Sequence, residues 1–397
     1  MRICWASIAP WIKSGYGTQT AQATLALQAM GHDVMIYAYR GLMGDAVEWH
    51  GIPVMPRGKL TEYGLELLPY YCDQHQADLC ITLTDLIAFT HLRTVTRGRS
   101  DQMKFAHWAP ISAAPIGDPD ASVLRQTGGT PIAMSRFAER ALKAAGFDPA
   151  YVPHAIDTAV WRPLPPEIRA RARAELGFAP TTFVIGTDAA NEDPTDRKGW
   201  GQTLCAFAAF HARHPDSVLY AHTIRNRHPF GLDLAAITET LGITSAVRYP
   251  DPDLYNAGAI PTAALATITA TWDLYTGCSH GEGFGIPIVQ AQACGVPAVA
   301  ANATATAELA PTGWKAATQP HWSGTHGAWW AMPLIDAIEA AYEDAWGLWD
   351  VARTPGHRSA HLWPDTQQAA RESALAYDTT TVAAAHWAPA LKQLEST

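Results

Sequence analysis

Apolar and polar positions alternate along this chain in blocks of two kinds. Short, nearly unbroken apolar runs at Arg2 to Ala9, Val34 to Tyr39, Leu79 to Leu83, Phe105 to Ala109 and Pro131 to Met134 predict strands buried on both faces. Between them lie stretches of helical period: Thr18 to Met30, stopped by Gly31, then Thr61 to His75 and Arg136 to Ala145. A second alternating set begins at Thr182. Strands are predicted at Thr182 to Thr187, Val218 to Ala221, Leu274 to Thr276 and Ala298 to Ala301, and helices at Gly199 to Arg213, Leu232 to Leu241 and Pro287 to Cys294. Alternation of this kind predicts parallel sheets flanked by helices, so the fold class is α/β with two doubly wound Rossmann-like halves.

The division between the halves is read from Arg162-Pro163-Leu164-Pro165-Pro166, which interrupts the periodicity as a linker does. It gives a first domain over residues 1–165, a second over 166–378 and a terminal helix over 379–397, in which Trp387 and Leu391 share a face. A chain of 397 residues is too long for one ordinary core and suits two. With 48% apolar and 16% charged residues it is globular rather than disordered. No uncharged run is long enough to span a bilayer, and the N-terminal segment reaches Lys13 too soon for a signal peptide. Cysteines 4, 72, 80, 205, 278 and 294 show no metal-type spacing, and reduced thiols in a cytoplasmic protein are expected.

A net charge of −9 excludes a surface that is an electrostatic footprint for nucleic acid throughout. Two basic segments stand against that background: His91, Arg93, Arg97, Arg99 and Lys104, then Arg225, Asn226, Arg227 and His228. Each reads either as solvated loop charge or as a local phosphate contact.

The richest segment runs from Cys278 to Pro297. An apolar run at Leu274 and Tyr275 enters a loop containing Gly281, Gly283 and Gly285, after which Pro287 marks a helix start and Gly295 its end. Such a loop lets an anion approach backbone N–H groups at the positive end of the helix. Glu282, placed within the loop, would repel a phosphate and reads as a partner for sugar hydroxyls.

This segment resembles the glutamate-any-seven-glutamate region of retaining GT-B glycosyltransferases, the glycosyl transferases group 1 (family 4-like). Further landmarks are Ser14-Gly15-Tyr16-Gly17, Ser135-Arg136-Phe137, Pro153-His154-Ala155-Ile156-Asp157-Thr158 and Arg197-Lys198-Gly199. The resemblance implies two facing Rossmann-like domains with a cleft between them, acceptor-binding first and nucleotide-sugar-binding second, and a last helix crossing back. It also implies a metal-independent, retaining transferase with no cofactor beyond its nucleoside diphosphate sugar donor. Glu282 would bind the donor sugar, with Gly283, Phe284 and Gly285 beside it. Gln290 stands where the family's ribose-binding glutamate would be, an amide in place of a carboxylate.

Departure of a diphosphate calls for cations and aligned N–H groups at the leaving oxygen. Lys198 and Arg197 are the candidates, by resemblance to the family's lysine and arginine pair. Gly17 would offer a backbone N–H from the first domain, His107 would face the reacting sugar, and Glu308 would contact donor hydroxyls or the nucleotide. Asp118 and Asp120 read as turn residues rather than as a metal pair. The acceptor stays open among saccharide, lipid carrier, small metabolite and hydroxylated nucleobase in DNA. A non-catalytic sugar-nucleotide-binding protein of the same fold, or a related epimerase or phosphorylase, are the alternatives.

Overall fold

The computed structural model describes residues 1–89, 104–225, 231–324 and 327–396. Two compact units emerge. The first comprises Met1–Ala155, Trp322–Trp329 and Tyr377–Thr397, and the second Ile156–His321 and Trp330–Ala376.

The first unit holds an eight-stranded sheet. Its strands are β1 (Arg2–Ile8), β2 (Asp33–Arg40), β3 (Val47–Trp49), β4 (Ile52–Pro56), β5 (Leu79–Leu83), β6 (Lys104–Ala109), β7 (Thr130–Ala133) and β8 (Ala150–Tyr151). They lie in the order β3-β4-β2-β1-β5-β6-β7-β8, parallel throughout except for the β3–β4 hairpin. Every residue of β5 is buried, as expected of a strand covered on both faces. Helices Gly15–Ala29 and Arg136–Ala144 are each opened by a serine: Ser14 accepts from the Gly17 N–H and Ser135 from the Ala138 N–H.

Three tryptophans tie the end of the chain into this unit. Trp387 meets Trp108 edge-on at 5.1 Å and Trp5 at 5.8 Å, and Trp5 meets Trp108 at 5.9 Å. The terminal segment is helical in three pieces, Thr379–Val382, a π-helical turn over Ala383–Trp387, and Ala388–Ser396, with Trp387 and Leu391 both buried.

The second unit holds six parallel strands in the order β11-β10-β9-β12-β13-β14. These are β9 (Phe183–Asp188), β10 (Ser217–His222), β11 (Val247–Arg248), β12 (Leu274–Gly277), β13 (Ala298–Ala301) and β14 (Trp314–Ala316). The strand order reverses between β9 and β12. That is a topological switch point, the place where loops beyond the carboxyl ends of neighbouring strands diverge and leave a crevice. Below it, Asp273 is buried and doubly paired, 2.8 Å from Arg169 and 3.0 Å from Arg173, and it also accepts from the Val184 N–H.

The structure corrects three sequence readings. Asp118 and Asp120 are not turn residues: they form the first turn of helix Asp118–Thr127, where acidic side chains complement the helix dipole and Pro119 is tolerated. The Pro165-Pro166 pair opens helix Pro166–Glu175 instead of serving only as a linker, because a proline at the first helical position loses no hydrogen bond. The stretch from Thr61 to His75 is helical only from Leu65, after Gly64 turns the chain with a φ of 65°.

Candidate functional site

Two loops meet at the switch point of the second unit, one leaving β9 and the other leaving β12. The first is pinned by Asn191, whose amide donates to the Leu232 and Ile224 carbonyls and accepts from the Leu232 N–H. Asp196 then accepts from the N–H groups of Trp200 and Gly201, capping helix Trp200–Arg213. With that helix end occupied by its own carboxylate, the anion-receptive end left at the crevice is that of helix Ile286–Ala293, which Gly285 opens without a side chain.

The two loops are joined by backbone and by charge. The His280 N–H donates to the Arg197 carbonyl at 2.8 Å. Gly199, at a φ of 69°, lies so close to the other loop that a Cβ there would stand 2.3 Å from the Cys278 carbonyl oxygen. Only glycine fits on both grounds. The approach brings Lys198 Nζ to 2.5 Å from Glu282 Oε1 and Arg197 Nη1 to 3.3 Å from Glu282 Oε2, while Arg197 also donates to the Gly281 carbonyl. Burial alone would raise the Glu282 pKa, but Lys198 and Arg197, with a hydrogen bond from Ser279, hold it down to about 2. Burial and neighbouring Arg197 lower the Lys198 pKa against the pull of Glu282 and Asp188. The sequence reading gave Glu282 hydroxyls to face. In the structure its carboxylate faces the two cations, which cancels the repulsion it would exert on a phosphate.

The rest of the loop completes the crevice. The Glu282 N–H donates to Thr304 Oγ1 at 3.3 Å, joining this loop to the turn after β13 that leads to Glu308 in the short helix Thr306–Leu309. Phe284 is buried and Gly283 lies within the loop. Gln290 lies on helix Ile286–Ala293, 9% exposed, and its amide has no hydrogen-bond partner among the described residues. Sequence reasoning missed His280, which is buried, contacts Gln202 Oε1 at 3.2 Å through Nε2 and leaves Nδ1 without a partner. It also missed Asn191 and Asp196, whose roles are set by contacts no local motif announces.

Two candidates, His107 and Gly17, lie in the first unit. His107 is fully buried, with Nδ1 2.7 Å from Thr82 Oγ1 and Nε2 2.9 Å from Thr127 Oγ1, and burial lowers its pKa to about 4. Both ring nitrogens are thus engaged by threonines of the first unit. Gly17 spends its N–H on Ser14 Oγ, and a Cβ there would lie 2.2 Å from the Ile12 carbonyl oxygen. The absent side chain permits this tight helix start. Of the basic segments, His91, Arg93, Arg97, Arg99, Asn226, Arg227 and His228 lie outside the described residues. Lys104 donates to the Glu395 carbonyl, and Arg225 is exposed.

Comparison with solved structures assigns the fold. The chain aligns over its full length with sucrose-phosphate synthase from Thermosynechococcus elongatus, at a TM-score of 0.76 and 15% identity with all of that chain covered. It aligns over 99% of its length with all of the Anabaena protein HepE in complex with UDP and glucose, at a TM-score of 0.67 and 17% identity. The fold is therefore the α/β GT-B fold of glycosyltransferases, built from two Rossmann-like units. In sequence, the chain is 32% identical over 178 residues to a GDP-mannose-dependent monoacylated alpha-(1-6)-phosphatidylinositol monomannoside mannosyltransferase of Corynebacterium glutamicum, 42% of each chain. It is 32% identical over 141 residues to the D-inositol 3-phosphate glycosyltransferase of Rhodococcus jostii, 34% of this chain and 29% of that one. The chain thus spans less than half the length of these curated relatives. No protein-family model matches it.

Proposed function

We propose that this chain is a retaining glycosyltransferase that moves a sugar from a nucleoside diphosphate sugar to a hydroxyl acceptor without a metal ion at the transfer site. The observation that carries the reading is the convergence of Lys198 and Arg197 on the loop that opens helix Ile286–Ala293 at the switch point. Lys198 donates to Glu282 alone among the described residues, so two of its three N–H groups remain for a departing diphosphate. The acceptor's proton passes to the diphosphate oxygen on the same face of the sugar, and no side chain acts as nucleophile. Residues 1–165 would serve the acceptor and residues 166–378 the donor.

The relatives support donors of this class, since one uses GDP-mannose and HepE is bound to UDP and glucose. All six cysteines are free, a state that a reducing compartment such as the cytoplasm maintains. Among the described residues no helix is long and apolar enough to cross a membrane. Gln290 favours a second reading, a sugar-nucleotide-binding protein that has lost transfer, because an amide cannot accept from both ribose hydroxyls as a carboxylate does.

Incubation with UDP-, GDP- and ADP-sugars, with and without saccharide, lipid-carrier, inositol-type and hydroxymethylated DNA acceptors, tests both readings. Acceptor-dependent release of nucleoside diphosphate, with the anomeric configuration kept in the product, is the expected result. Tight donor binding without release under any acceptor supports the second reading.

A further inference from the structure

Three cysteines that are far apart in sequence meet in the core of the first unit. Cys4 on β1 and Cys80 on β5 are register partners on adjacent parallel strands, so their side chains leave the same face of the sheet. Cys72, on helix Leu68–His75, belongs to the hydrophobic cluster packed on that face. The three sulfur atoms lie within 4.8 Å of one another, and all three residues are buried. Among the described residues, no other set of histidine, cysteine, aspartate or glutamate side chains forms such a group.

We propose that Cys4, Cys72 and Cys80 form a binding site for one soft monovalent metal ion, Cu(I), held by sulfur alone. The choice of ion follows from the donor set. Thiolates select soft ions, Cu(I) and Zn(II) before the others. A structural zinc site takes four ligands, yet among the described residues no fourth cysteine, histidine or carboxylate joins this group. A water as fourth ligand would have to sit in an apolar core. Met35, the register partner of Cys4 on its other side and part of the same cluster, adds only a thioether, a donor Cu(I) accepts.

Entry of the ion displaces one thiol proton to solvent with no change in oxidation state, and its single charge offsets that of the one thiolate formed, which would be costly in the core if left uncompensated, while the other two sulfurs bind as thiols. The site belongs to the first unit, and the transfer chemistry does not depend on it.

The full-length chain, reduced and kept anaerobic, is to be titrated with Cu(I) in competition with a chromogenic chelator, with Zn(II) in a parallel arm. One Cu(I) per chain is expected, with an X-ray absorption spectrum showing sulfur neighbours only. Cys72→Ala and Cys80→Ala should each weaken retention by more than the roughly 10- to 100-fold that loss of an outer-shell partner costs, and Cys205→Ala should leave it unchanged. The wild-type spectrum needs no variant to fold. A nitrogen or oxygen neighbour, no retained copper, equal retention by Cys72→Ala, tighter retention of Zn(II), or a disulfide between two of the three cysteines would each overturn the assignment.

Discussion

Lys198 Nζ lies 2.5 Å from Glu282 Oε1, although 84 positions separate the two residues. The contact exists because β9 and β12 are neighbours at a switch in strand order, so the loops beyond their carboxyl ends share one crevice. A cation and a carboxylate are thereby fixed together where a helix begins, with the lysine retaining donors for an anion.

Lys198→Ala removes the donor while leaving Glu282 paired to Arg197. Turnover should fall by about a hundredfold or more, the usual cost of losing one preorganised donor to developing charge. Stability should fall by no more than about 1–3 kcal/mol, since the carboxylate keeps a partner. Steady-state kinetics beside thermal melts decide the matter. A near-normal rate at unchanged melting temperature removes Lys198 from the site.

Gly199→Ala probes the approach of the two loops. The new methyl would stand 2.3 Å from the Cys278 carbonyl oxygen on a residue whose φ is 69°, so the loops must separate. The expected loss is on the order of 1–3 kcal/mol, in the range of backbone strain at functional sites, and Lys198 moves with it. Urea denaturation should show a lower midpoint at constant slope. An unshifted midpoint would show that the loops do not meet at Gly199.

Much of this site was legible because its signals are local. Pro287 and Gly295 bracket helix Ile286–Ala293, the serines at 14 and 135 open their helices, and the apolar runs give strands within a residue or so of their bounds. What was not legible depends on strand order. Nothing near Cys4 announces that Cys80 will lie beside it, and nothing near Glu282 announces Lys198. His107 is a related case: a histidine near a strand end suits a ligand as well as it suits a core, and nothing near it in sequence announces its contacts with Thr82 and Thr127. Asp118 and Asp120 misled because proline and acidic residues favour both turns and helix starts.

His107 gives the first unit a pH dependence of definite sign. Burial holds its pKa at about 4 against the ordinary 6.5 of a solvated histidine, so below 6.5 the unfolded chain takes a proton that the folded chain refuses. Its contribution is complete above pH 6.5 and is lost as pH falls to about 4, a change of about 3 kcal/mol. His154, lowered to about 3 by the same cause, adds to the slope. Thermal melts at neutral pH and near pH 4.5 should differ less in His107→Asn than in the wild type. An equal drop in both would mean that His107 is protonated in the folded chain.

Gln290→Glu tests the placement of the donor. Gln290 is a largely buried residue on the helix whose N-terminus faces the crevice. If a ribose lies against it, a carboxylate accepts from both hydroxyls where the amide accepts with one oxygen, and affinity should rise by about 1 kcal/mol, the net worth of one more charge-assisted bond after desolvation. The opposing term is the diphosphate's own charge. The N–H groups that Lys198 keeps beyond its pair with Glu282 offset part of that charge, so the gain should survive. Calorimetric titration of both forms with UDP, GDP and ADP gives the answer. Tighter binding of one nucleotide places its ribose at residue 290, and weaker binding of all three means that the pocket is built around the amide. Unchanged binding would move the donor away from this helix and take the proposed site with it.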